Sequence, residues 1–282
     1  MTNGKGESGL DDKAIPVLKP CIGQEEIDAV SEVMRSGWLG LGPKTEQFEK
    51  LFSEYVGSRY TVALNSGTAA LHMAMDALGI GPGDEVIVPS ITFISTVHAV
   101  RYVGAAPVFA DVEPDTMNLD VKDVERKLSP KTKAVIAVHL AGHPCDLDAL
   151  HELAAQHGVH VVEDAAHACG AEYKGRRIGS ISELTCFSFH AVKNMTTGEG
   201  GAITCDNDWI ARKCREKRWV GISRDTWMRS SHERVYAWQY YVEEVGFKYH
   251  MSDLQAAIGI VQLSKLGALN AKRREIADRY RS

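Results

Sequence analysis

The chain has 282 residues, 44% of them hydrophobic and 24% charged, a balance that supports a sizeable core and excludes a largely disordered or coiled-coil chain. Thirty-two Lys and Arg against thirty-seven Asp and Glu leave a formal charge of -5, which argues against a broadly basic nucleic-acid binder and leaves room only for a local anion pocket. Length alone allows one large domain or a domain and a half. No run of about 18 apolar residues occurs, so no membrane-spanning helix is expected. The opening MTNGKGESGLDDK has no apolar h-region, which points away from a signal peptide and toward a cytoplasmic enzyme or binding protein. The cysteines at 21, 145, 169, 186, 205 and 214 include no CxxC pair and read mostly as reduced core residues.

In chain order, residues 1–14 read as a flexible tail. Gln24 to Arg35 sets Ile27, Ala29, Val30, Val33 and Met34 at helical spacing and stops at Ser36-Gly37. Pro43 can open a second helix that buries Phe48, Leu51 and Phe52. The GWLGLG between them lacks the preceding strand and the spacing of a dinucleotide fingerprint, and reads as a loop. From residue 60 the chain alternates: strand 61–64, helix 68–78, strand EVIV, helix 93–102, strand APVFADV, a helix to Leu128, strand KAVIAVHL, helix 147–157 and strand VHVVED. That succession makes an α/β fold, a mostly parallel sheet with helices on both faces. LTCFSF and GGAITC add two short strands with no long helix between them. A charged helix then leads into an aromatic-rich segment, 219–249, containing Trp227, Tyr236, Trp238 and Tyr240, whose arrangement has no readable period. Finally, Ser252-Asp253 caps a helix carrying Leu254, Ala257, Ile258, Val261 and Leu263.

Ligands of such sheets collect beyond the carboxyl ends of strands, which selects NSGT at 65–68, PSITF at 89–93, HLAGH at 139–143, EDAAH at 163–167 and SFHAVK at 188–193. Asn65, Ser66, Gly67 and Thr68 form either a phosphate cradle at a helix start or a plain helix cap. Asp164, ending a very apolar strand, needs a cationic or proton-donating partner. A protonated pyridine nitrogen would serve, and so would a structural salt bridge. His167 reads as a neighbour of the same ligand or as an ordinary core histidine. Lys193 is the sharpest residue, set among small and hydroxyl residues and outside any charged run. Partial burial would disfavour its charged form and supply an amine for a Schiff base with an aldehyde. Ser188 could give a hydroxyl to a phosphate. His139, His143 and Cys145 are too loosely spaced for zinc, and no metal is expected. Arg212, Lys213, Arg215, Lys217 and Arg218 read as a solvated helix face that could also meet an acidic substrate.

Taken together, NSGTAALHMAM, PSITFIST, VVEDAAHA, FSFHAVKNMTTGEGGAI and GFKYHMSDLQAAIGIVQL resemble the DegT/DnrJ/StrS-type nucleotide-sugar aminotransferases, pyridoxal-phosphate enzymes of fold type I. The resemblance implies a mostly parallel seven-stranded sheet flanked by helices. It implies a large cofactor-binding domain over 15–245 and, over 246–282, the start of a smaller C-terminal domain that is truncated here, since full-length relatives are longer. By the same likeness Lys193 would hold pyridoxal phosphate as an internal aldimine, Asp164 would pair with the pyridinium nitrogen, His167 would lie near the ring and Phe93 would stack on its face. Gly67, Thr68 and Ser188 would hold the phosphate, and Lys248 would complete that site from the neighbouring subunit of a homodimer.

The implied chemistry is amino transfer. Glutamate or glutamine displaces Lys193, which then moves a proton between Cα and C4′ and leaves pyridoxamine phosphate; the reverse half-reaction aminates a nucleotide-linked keto sugar. HAVKNMTTGEGG is similar to members acting at C4 of UDP-linked 4-keto sugars, which implies a cytoplasmic role in polysaccharide or lipopolysaccharide biosynthesis. Dehydratases of the family carry a histidine where Lys193 stands, so Lys193 favours amino transfer. A sugar dehydratase and a catalytically impaired cofactor-binding regulator are the alternatives. One departure is Val220, where many relatives have a histidine or another polar or aromatic group.

Overall fold

The start of the described chain is organised by its glycines and by one proline. In the computed structural model, which describes residues 19–223 and 241–282, helix α1 (Gln24–Ser36) opens where the Gly23 amide donates to Glu26 Oε2 at 2.8 Å and closes at Gly37, in the left-handed region at φ 75°. Pro43 starts α2 (Pro43–Val56), which buries Phe48 and Phe52 completely and leaves Leu51 part-exposed. GWLGLG is the loop between them. The expected tail at 1–14, and Trp227, Tyr236, Trp238 and Tyr240 of the aromatic segment, lie outside the described residues.

The alternation then runs as β1 (Tyr60–Leu64), α3 (Gly67–Ala77), β2 (Glu85–Pro89), α4 (Ile94–Tyr102), β3 (Ala106–Ala110), α5 (Val121–Lys127), β4 (Thr132–Val138), α6 (Leu147–His157) and β5 (His160–Asp164). A small hairpin, β6 (Glu172–Tyr173) and β7 (Arg176–Arg177), follows; its polar two-residue strands leave no period to read. The chain continues through β8 (Leu184–Ser188), β9 (Gly201–Cys205), α7 (Asp208–Lys217) and α8 (Asp253–Arg281). Among the described residues, seven strands form one sheet in the order β1-β9-β8-β5-β4-β2-β3. Strand β9 runs antiparallel to both its neighbours, and the other neighbouring pairs are parallel.

Alternation along each strand assigns the two faces. Val138, Val162, Leu184 and Cys186 join the core under α3, α4 and α7, whereas Val135, Val161 and Phe187 join the core under α2, α6 and α8. Both faces are dry, which is why VVE and AVIAV read as unbroken apolar runs. On β5 the same alternation sends Glu163 and Asp164 to opposite sides.

Ser252 caps α8 as expected, and the helix carries Leu254, Ile258 and Val261 part-exposed while burying Asp253, Ala256, Ala257, Gly259, Gln262, Leu266 and Asn270. The cause is close packing on α1 and α2: a Cβ on Gly259 would meet Phe48 Cε2 at 2.8 Å, and the polar residues are anchored by hydrogen bonds. Gln262 Nε2 donates to Glu26 Oε1 at 2.8 Å, and Asp253 accepts from the Lys44 and Thr45 amides that begin α2. One expectation is corrected: the basic face of α7 is not uniformly solvated. Lys217 is buried against Asp76 and Glu244, and buried Arg218 pairs with Glu49 and donates to the Ala63 carbonyl.

Candidate active site

The carboxyl ends of β1, β2, β4, β5 and β8 surround one cavity of about 330 Å³. Its wall contains Gly67, Thr68, Phe93, Asp164, His167, Ser188 and Lys193. Seven of the eight residues marked out in the sequence are thereby brought together, from four separate strand ends.

The floor of one side is the start of α3. Ser66 caps it, its Oγ accepting from the Ala69 amide at 3.0 Å, which leaves the Gly67 and Thr68 end facing the cavity. Gly67 is required by proximity, because a Cβ there would meet Ser188 Cβ at 2.8 Å. Thr68 Oγ1 and Ser95 Oγ share a hydrogen bond of 2.8 Å, so the first turns of α3 and α4 meet hydroxyl to hydroxyl. Asn65 does not join them. Its amide donates to the Tyr249 carbonyl at 2.7 Å and its side chain to the Lys248 carbonyl, which turns it away from the cavity.

Asp164 is 5% exposed. Its Oδ2 accepts from Thr96 Oγ1 at 2.8 Å and its Oδ1 from the Ala166 amide at 3.2 Å. Lys193 sits on the turn between β8 and β9, with its amide bonded to the His190 carbonyl, and its amine pKa is pushed below the ordinary lysine value by burial, an effect that the negative charge of Asp164 partly opposes. Burial also lowers the pKa of His167, with a further push from the Lys193 charge, so its ring is neutral near pH 7. Phe93 is 71% exposed and presents a ring to the cavity mouth.

Lys248 lies elsewhere. It bridges to Trp219 on the backbone, its Nζ sits 3.0 Å from the centre of the Trp219 ring, and it does not line the cavity of its own chain. HLAGH contributes only its Leu140 side to the cavity, because His139 and His143 point to other places. His139 is fully buried behind the sheet: Nε2 bonds Glu163 Oε2 at 2.7 Å and Nδ1 accepts from the Cys145 amide at 3.1 Å. Burial opposes a charge on that ring and Glu163 favours one; the amide aimed at Nδ1 leaves a neutral imidazole with its proton on Nε2. His143, Cys145 and His139 therefore do not converge on a common point, and among the described residues no group of three metal-ligating side chains does.

Thr92 and His190, inside the selected PSITF and SFHAVK segments, also line the cavity, and it holds residues that the sequence did not single out: Ser95 and Glu199 line it, and Thr96 lies buried behind Asp164. His190 and Glu199 stand 3.5 Å apart at its half-open side. The strand-end rule reaches Phe93 and stops, whereas Ser95 and Thr96 are already in the helix; their hydroxyl spacing behind Thr92 is the only signal that could have found them.

Residues 20–282 match the DegT/DnrJ/EryC1/StrS aminotransferase family. The chain is 48% identical to the spore coat polysaccharide biosynthesis protein SpsC of Bacillus subtilis over 268 residues, which span 95% of this chain and 68% of that protein. The sugar aminotransferase Spr1654 of Streptococcus pneumoniae, in its PMP form, superposes with a TM-score of 0.89 at 36% identity, covering 95% of this chain and 71% of that one; it is also solved in PLP and apo forms. DesV of S. venezuelae, in complex with a ketimine intermediate, superposes at 0.83 with 41% identity, covering 91% of this chain and 66% of that one. The chain belongs to the DegT/DnrJ/EryC1/StrS aminotransferase family, and its mostly parallel α/β sheet is the fold of these neighbours.

Proposed function

We propose that this aminotransferase-family chain uses pyridoxal phosphate at Lys193 to move an amino group from glutamate or glutamine to a nucleotide-linked keto sugar, at C4 of a UDP-4-keto sugar. The observation that carries the reading is the one cavity in which a lysine amine of lowered pKa and a buried, hydrogen-bonded carboxylate stand beside a helix start with no room for a side chain at Gly67. These residues fit the cofactor. A phosphate suits the amides of Gly67 and Thr68 and the Ser188 hydroxyl, an aldehyde suits the Lys193 amine, and a protonated ring nitrogen suits Asp164.

Bound there, pyridoxal phosphate supplies an electron-accepting ring and an aldehyde carbon that takes up the amino group. The chain's own residues do the rest. Asp164 would hold the proton on the ring nitrogen. Lys193, whose charged form burial disfavours, would be the base that takes the proton from the donor's Cα. Neutral His167 gives an uncharged wall beside the ring, and Phe93 offers a face on the solvent side. Lys248, outside its own cavity, would reach the phosphate as Lys248 of the partner subunit in a homodimer. Residues 246–282 would then begin a small domain joined to a large domain ending at 245.

Similarity to SpsC and to the sugar aminotransferase Spr1654 supports a keto-sugar acceptor and a place in polysaccharide biosynthesis. The test follows the bound cofactor by absorbance. Glutamate should convert the band and a UDP-4-keto sugar should restore it, with product position fixed by NMR. Binding of cofactor with neither conversion would overturn amino transfer and leave the regulator.

A further inference from the structure

The proposed chemistry needs Asp164 to present its carboxylate in one orientation, and the residue that fixes it comes from another element. Thr96 lies on the first turn of α4 with no exposed surface. A threonine inside a helix commonly returns its hydroxyl to a carbonyl one turn back. Thr96 instead spends its hydroxyl on side chains: Oγ1 lies 2.8 Å from Asp164 Oδ2 and 2.7 Å from Thr92 Oγ1. The order of donation is fixed by inventory. A carboxylate only accepts, so the single Thr96 proton goes to Asp164, and the Thr96 oxygen accepts from Thr92. Thr92 lines the cavity whereas Thr96 is sealed behind it. With the Ala166 amide on Oδ1, each carboxylate oxygen has its own donor, and rotation about the Cβ–Cγ bond is blocked.

We propose that Thr96 is a positioning residue for the cofactor site: supported by Thr92, it sets the plane in which Asp164 meets the pyridine nitrogen. The inference rests on the reading of Asp164 given above. It assigns Thr96 no contact with cofactor or substrate.

The experiment measures pyridoxal phosphate affinity of the apo-protein by fluorescence, the pH dependence of the bound cofactor's absorbance, and the apo-protein's thermal midpoint. The proteins compared are the parent chain, Thr96→Val, Thr96→Ser, Thr92→Val and Asp164→Asn. Thr96→Val should weaken binding about tenfold, the size of one hydrogen bond to a charged group, and move the absorbance midpoint. Thr96→Ser should restore both. Thr92→Val should shift both in the same direction by a smaller factor, and it carries the test if Thr96→Val does not fold. A lower thermal midpoint for Thr96→Val with affinity and absorbance unchanged would make Thr96 purely structural and overturn the inference. Unchanged affinity and absorbance in Thr92→Val would remove the supporting hydroxyl from it. Asp164→Asn separates the two readings: if it changes neither readout, the role of Asp164 fails; if it changes both while Thr96→Val changes neither, only this inference fails.

Discussion

Glu163 and Asp164 are consecutive on β5, and both carboxyl groups are buried. On the α6 side, Glu163 has three donors and no open space: His139 Nε2, the Ser182 amide and Thr185 Oγ1 all donate to it. Burial alone would push its pKa up, but the donors from His139 and Ser182 more than offset this and hold it below the ordinary value. On the α3 side, Asp164 has one donor per oxygen and a cavity in front of it. Burial of a carboxylate therefore does not mark a working site by itself. What marks it is acceptor capacity left over beside an open space and a lysine amine.

The sharpest way to break this contrast is to empty the cavity of its amine. Lys193→Ala should abolish turnover, a loss of at least about 10⁴-fold if the lysine both carries the cofactor and moves the proton, measured with glutamate and a UDP-4-keto sugar. Near-parental turnover would remove its assigned role. Asp164→Asn leaves the shape intact and removes a buried charge partner, at a cost of about 3–5 kcal/mol by the usual size of such losses, so kcat should fall by about 10² to 10⁴ while apo-protein stability changes less. The neighbouring change, Glu163→Gln, should do the reverse. A glutamine would face the Ser182 amide or the His139 Nε2 proton with a donor, so urea unfolding should show a loss of about 3 kcal/mol with the bound cofactor's spectrum unchanged.

Smaller effects sharpen the comparison. Gly67→Ala brings a methyl to 2.8 Å from Ser188 Cβ, and overpacking of that size costs about 1–3 kcal/mol. Weaker cofactor binding with little change in the thermal midpoint of the apo-protein is the expected pattern. The smallest expectation concerns His250, away from the cavity. Burial first, then the charges of Lys248 and Arg218, push its pKa down to about 4, and its Nδ1 has no partner among the described residues. Between about 4 and 6.5 the folded protein then binds fewer protons than the unfolded one, so stability falls as pH drops through that window. His250→Gln should flatten that part of the slope in denaturant melts between pH 7 and 4.5.

Much of this was legible beforehand for a physical reason. Strands buried on both faces write unbroken apolar runs, and caps such as Ser66 and Ser252 mark where helices begin; the strand-end rule then finds Asp164 and Lys193. What escaped was recorded only across the fold. The pairing of Thr96 with Asp164 joins residues 68 apart. The buried stripe of α8 is small and polar, so hydrophobic spacing along that helix does not mark it. Arg218 looks like a surface cation until Glu49 of α2 is brought behind it. Asn65 fits a phosphate cradle by composition, yet the 248–249 segment claims its donors.

One anchor also bears on the timing of synthesis. The amides of Lys44 and Thr45 that open α2 are received by Asp253, 209 and 208 residues further on, so this end of α2 has no internal substitute while the ribosome is still making the chain. Helix α2 covers the sheet with Phe48 and Phe52, and that layer should close only after residue 253 has left the exit tunnel. Nascent chains arrested before that point should be cut by protease within α2, and protection already present there would show that the early layer forms unaided.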